Sequence, residues 1–246
     1  MEHLSELGVL RIAALVLASV VAGVIRGFTG FGAALVMAPA FALVVPPREA
    51  VVLITVMNLV TMTQLLPAAL KNTDWPLVVP MSIGAILALP LGTWLLVAVD
   101  GDLLRRVIGL VVLVFAGLLM IGWQAAPRPR LSLSLGVGVV SGVLTGFGGV
   151  GGPPVVLYLL SRPSGAARYR ASFISYFAVI QAFSLIPLLV AGLIEGRHLV
   201  LATVLLPAYF LATHTGTRLF ARANDGVYRQ VAILVLLAIA VAALIS

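Results

Sequence analysis

Residues 145–154 read TGFGGVGGPP, five glycines and two prolines inside a run whose apolar sequence begins at Leu131 and continues to Leu160. Glycine and proline hold a helix least well, so their place in so hydrophobic a stretch needs a physical reason. Gly146, Gly148 and Gly151 also spell G-x-G-x-x-G, a dinucleotide-binding pattern when a strand precedes it and a helix follows. The solvent around the stretch decides between these readings.

Composition identifies that solvent. Of 246 residues, 62% are hydrophobic and only 9% charged, about a third of the charged share of a soluble domain. The chain therefore reads as an all-α polytopic membrane protein. A crossing takes about 20 predominantly apolar residues, and eight stretches qualify: Ile12 to Val45, Val51 to Leu70, Pro76 to Val99, Val107 to Trp123, Leu131 to Leu160, Ala171 to Ile194, Leu199 to Thr217 and Val231 to Ser246. No βαβ unit surrounds the glycines in such a chain, and the dinucleotide reading fails.

Glu2 and Glu6 precede a first apolar stretch too long for a signal-peptide core, so the amino terminus is expected to stay in the mature protein. The net charge of +7 comes from basic residues in short loops, which lipid topology explains without a nucleic-acid partner. With no cysteine, disulfides and thiolate metal sites are excluded; no metal or cofactor is expected. If all eight stretches cross, one set of loops carries Arg48, Arg105, Arg106, Arg162, Arg168, Arg170, Arg218, Arg222 and Arg229, and the other Arg11, Lys71, Arg128, Arg130 and Arg197. The richer set belongs in the cytoplasm, with both termini outside.

The chain repeats itself. Thr29-Gly30-Phe31-Gly32 recurs at Thr145, Leu66-Pro67 as Ile186-Pro187, Gly92 as Gly216 and Arg105 as Arg229, at offsets of 116, 120, 124 and 124. We read a duplicated four-segment unit, residues 1–125 and 126–246. The glycine cluster lies in the first segment of each half, and those segments run for 34 and 30 residues. A straight helix of the longer one would measure about 50 Å against a hydrocarbon core of about 30 Å. Both should be broken, strongly tilted or re-entrant. Backbone unwound at membrane depth must be buried in protein or line a watery cavity, and duplicated transporters build substrate sites from such segments. Folded-back segments would leave three crossings per half and inverted repeats; recounting the loops then again gives nine basic residues against five, so charge does not choose between the two topologies.

"RGFTGFGAALVMAP" (Arg26 to Pro39), "SGVLTGFGGVGGPPVVLYLLSR" (Ser141 to Arg162) and "RASFISYF" (Arg170 to Phe177) resemble the TauE/SafE family of sulfite and organosulfonate exporters, also called the toluene sulfonate uptake permeases. The likeness extends over nearly the whole chain. It implies a secondary transporter, an exporter of small sulfur-containing anions in the plasma (inner) membrane, with the lipid bilayer and the anion as partners. The oligomeric state stays open, a homodimer included.

Arg26 is the one cation inside an apolar segment, a placement costing at least about 2.5 to 3.5 kcal/mol unless a partner or water faces it. No carboxylate shares the interior, so an anion is the expected partner. The expected substrate-binding set is Arg26, Thr29, Gly30, Phe31, Gly32 and Asn58 in the first half. In the second it is Thr145, Gly146, Phe147, Gly148, Gly149, Gly151, Tyr176 and Gln181. Hydroxyls and amides can donate to sulfonate oxygens without charge; helix N-termini and freed N–H groups attract anions. His214 is the candidate for proton coupling. A channel-like facilitator of another small anion is the alternative. An intramembrane hydrolase using Ser141 and His214 lacks a supporting motif, and a cation pathway lacks intramembrane Asp or Glu.

Overall fold

A computed structural model describes residues 2–104, 131–161 and 164–228, with scattered positions between 106 and 117 and between 230 and 234. The described residues are helical and turn, with no strand. Helices run over Glu2–Thr29 (α1), Ala33–Ala42 (α2), Pro47–Ala69 (α3), Trp75–Ala98 (α4), Leu131–Gly148 (α5), Gly152–Leu160 (α6), Ala166–Val190 (α7) and Gly196–Phe220 (α8). Among these residues, six helices are long and apolar enough to cross a membrane: Gly8–Thr29, Pro47–Asn72, Trp75–Ala98, Leu131–Gly148, Ala166–Val190 and Gly196–Phe220. The expected fourth and eighth segments, Val107 to Trp123 and Val231 to Ser246, fall almost wholly outside the described residues, as do Arg105, Arg128, Arg130, Arg162 and Arg229.

Prolines start several of these helices. Pro47 opens α3, Pro76 lies in the first turn of α4, and Pro153 and Pro154 occupy the first turn of α6, where a missing N–H leaves no bond unmade. Large apolar side chains face outward: Trp75, Val79, Ile83, Leu87, Leu91 and Trp94 follow helical spacing along one side of α4, Leu87 being 75% exposed. That stripe suits lipid rather than water.

Polar contacts give each helix its direction. At one end of the bundle, Arg48 at the start of α3 donates to the carbonyls of Leu96, Val97 and Val99 at the end of α4, at 2.8–3.1 Å. Arg197 at the start of α8 pairs there with Glu49 at 3.2 Å. At the other end, Thr73 and Ser175 share a 2.6 Å hydrogen bond, and the Asp74 N–H donates to Ser172 Oγ at 3.0 Å, joining the starts of α4 and α7. α1 runs alongside α8 in the same direction, and α5 alongside α4. Between Thr29 and Pro47 the chain therefore travels back through α2 toward the end it came from. Between Gly148 and Ala166 it does so through α6, in the opposite sense.

Glycine lets the paired helices touch. A methyl group at Gly138 would land on Met81, one at Gly142 on Ala85, and one at Gly146 on Leu89, so α5 lies on α4 backbone to backbone. The α1–α8 crossing uses Gly23, Gly27 and Gly216 in the same way. Close approach of this kind is how membrane helices gain packing energy. Gly142→Leu should therefore lower the thermal unfolding temperature in detergent, its cost in stability being at least the roughly 1–3 kcal/mol typical of overpacking. Gly136→Leu, on the exposed side of the same helix with open space before it, should leave it unchanged.

Candidate functional site

Arg26 sits in the last turn of α1, where the helix dipole favours a cation, and only 3% of it is exposed. Its Nη1 donates to Asn58 Oδ1 at 2.7 Å, and Nη2 reaches the Asn58 carbonyl at 3.4 Å. The Tyr209 hydroxyl donates to the same Oδ1 at 2.6 Å. Thr61 Oγ1 donates to the Asn58 carbonyl at 3.1 Å. Asn58 and Tyr209 lie halfway along α3 and α8, so the guanidinium is held at mid-depth of the bundle by two helices. Every partner is neutral. The ion pairs among the described residues join Arg197 to Glu49 and Glu195 and His198 to Glu49; none reaches Arg26. Arg26 Nε and Asn58 Nδ2 are buried with no hydrogen-bond partner. A buried charge surrounded by neutral groups, with two donors unspent, is an arrangement that an anion completes.

The turn after α1 lies next to this group. Gly30 and Gly32 have φ of 85° and 87°, left-handed conformations that glycine adopts without strain. Thr29 Oγ1 lies 2.8 Å from both the Ile25 and the Phe31 carbonyls, with one proton to give to either, and accepts from the Phe31 N–H at 3.2 Å, so it holds the turn. Arg170, at the start of α7, donates to the carbonyls of Gly27 (2.6 Å) and Phe28 (3.2 Å) and lies 4.5 Å over the Phe220 ring. Tyr228 donates to the Thr29 carbonyl at 2.9 Å. Two residues of the second half thus cap the end of α1, satisfying carbonyls that a helix end leaves open. The Phe31 and Phe173 rings touch with centroids 4.8 Å apart and planes tilted by 51°.

The second turn has its own lock. Gly149 has φ of 71°, Ser141 Oγ donates to the Gly151 carbonyl at 2.6 Å, and Thr145 Oγ1 donates to the Ser141 carbonyl at 2.8 Å. A methyl group at Gly151 would land on the Thr145 hydroxyl. The first turn leans on α7, where a methyl at Gly30 would meet the Arg170 carbonyl at 2.9 Å; the second leans on α3, with Ile54 at 3.8 Å from a methyl at Gly149.

Of the residues expected from sequence, Arg26 and Asn58 meet directly, with Thr29, Gly30, Phe31 and Gly32 beside them. Thr145, Gly146, Phe147, Gly148, Gly149 and Gly151 form the buried turn of the other half. Tyr176 and Gln181 are buried on α7, and Gln181 Oε1 has no partner. His214 lies on the exposed side of α8, away from the Arg26 group. Sequence reasoning missed Tyr209, a phenol in the middle of an apolar segment, whose hydroxyl needs a partner when buried. It also missed that Arg170 caps α1.

A family model described as Sulfite exporter TauE/SafE matches residues 15–243. A protein of Cupriavidus necator named probable sulfite/organosulfonate exporter TauE is 28% identical over 221 residues, covering 86% of this chain and 85% of its own. No solved structure matches the chain.

Removing the Arg170 cap should loosen the end of α1. Arg170→Gln forfeits charge-assisted bonds worth about 1.5–3 kcal/mol and should lower thermal stability accordingly, with Arg170→Lys recovering part of it. Unchanged unfolding of Arg170→Gln in detergent would show that the cap contributes nothing.

Proposed function

The chain belongs to the sulfite exporter TauE/SafE family, and from that premise we propose that it is a secondary transporter exporting a small sulfur-containing anion, sulfite or an organosulfonate. Arg26 carries the reading: a buried cation with neutral partners and an unspent N–H, in a protein whose described residues include six helices able to cross a membrane. A planar guanidinium with several donors suits an oxyanion bearing several acceptor oxygens.

The proposed architecture pairs residues 1–125 and 126–246 as inverted halves, each with a re-entrant segment turning at its glycines. Support comes from the opposed directions of α1 and α5 and from the return of α2 and α6. The end carrying Lys71, Arg168, Arg170, Arg218 and Arg222 then faces the cytoplasm of the cell whose plasma membrane holds the protein. Each turn rests against the other half, so rocking one half against the other displaces both turns and would open the site to alternate sides. Export needs no coupled ion, since an interior-negative potential is worth about 2.3 kcal/mol per charge per 100 mV, or roughly fifty-fold outward accumulation of a monoanion. Coupling through His214 would have to act from the perimeter of α8.

The test is flux of labelled sulfite and sulfonates in proteoliposomes. Arg26→Lys, which retains charge but loses the planar fork, should bind more weakly, and Arg26→Gln should lose about ten- to hundredfold in affinity. Both variants should insert as wild type does. Wild-type affinity and flux in Arg26→Gln would remove the guanidinium from the site.

A further inference from the structure

Asn58 Oδ1 accepts from Arg26 Nη1 at 2.7 Å and from the Tyr209 hydroxyl at 2.6 Å. An amide oxygen has two lone pairs, and both are used. A guanidinium cannot accept, so its bond to Oδ1 holds the side-chain amide in one orientation, and the Tyr209 hydroxyl fills the oxygen's second lone pair. Its Nδ2, in a residue only 1% exposed, finds no acceptor. Arg26 Nε is in the same state. Both unpartnered atoms of the group are donors. Buried N–H groups without acceptors are costly, and this pair is satisfied only by something that brings oxygens.

Resting on the reading of Arg26 as the anion's anchor, we propose that Tyr209 is a positioning and specificity residue of this site: its hydroxyl fills the second lone pair of Asn58 Oδ1, so that the site offers N–H donors alone and takes oxyanions whose oxygens only accept. A deprotonated sulfonate or sulfite meets that demand. A neutral sulfonamide of the same size meets it less well, because it lacks the charge and the third acceptor oxygen and brings N–H groups to a site with no free acceptor. A site that must pair every polar group rejects such an analogue strongly.

The experiment uses the full chain in proteoliposomes and measures how methanesulfonate and methanesulfonamide inhibit sulfite flux. Wild type should be inhibited by the sulfonate at concentrations at least about tenfold below those of the sulfonamide. Tyr209→Phe keeps the ring and leaves the second lone pair of Asn58 Oδ1 free to accept an N–H, so the ratio of the two inhibition constants should fall about tenfold, with the sulfonamide gaining. A packing role for Tyr209 would not move that ratio. Asn58→Asp preserves the acceptor for Arg26 and Tyr209 but places a negative oxygen where Nδ2 was. It should unfold no more easily than wild type while losing at least about tenfold in flux and in sulfonate inhibition. A wild-type ratio in Tyr209→Phe, or wild-type flux in Asn58→Asp, overturns the proposal. If either occurs while Arg26→Gln still loses affinity, the transporter reading stands and only the role of Tyr209 falls; if wild type moves neither sulfite nor sulfonate, both fall together.

Discussion

A guanidinium cannot be left in hydrocarbon, and three helices converge on the one at Arg26. Asn58 comes from α3 and Tyr209 from α8, so the charge ties the first half of the chain to the second at mid-depth. The offsets of the proposed repeat take Arg26 to Gly142 and Ala85 to Tyr209. In the structure Gly142 and Ala85 are themselves in backbone contact. One crossing therefore holds a charge with unspent donors, while its counterpart is closed by glycine. On the proposed reading, two related halves would give one anion site rather than two.

Glycine serves two purposes in this fold, and the difference lies in what stands opposite each residue. Gly138, Gly142 and Gly146 are helical and admit α4 to van der Waals contact; Gly30, Gly32 and Gly149 have positive φ and turn the chain. Membrane character and helical class were legible in composition alone. The separate duties of the glycines were not, since a sequence shows the residue without its neighbour. Pro153 and Pro154 illustrate the same point: they suggest lost donors, yet in a first turn those donors would have gone unused.

The candidate site was legible where polarity is rare. Arg26 and Asn58 stand out in apolar segments because hydrocarbon tolerates few such groups. Tyr209 did not, because tyrosine is common near membrane interfaces and its depth follows only from the packed helices. Arg170 reads as a loop charge, and only the approach of α1 makes it a cap. His214 shows why one sequence cannot assign a helix face: it stands between Thr213 and Thr215 with polar and apolar residues on either side, and its exposure follows from how α8 packs against α1 and α3.

The most direct measurement of the central claim is a structure with selenite, a heavier relative of sulfite whose selenium can be located by anomalous scattering. The account predicts selenium at mid-depth, with its oxygens within about 3 Å of Arg26 Nε and Asn58 Nδ2. An anion bound elsewhere in the bundle, with those two donors still unpartnered, would contradict it.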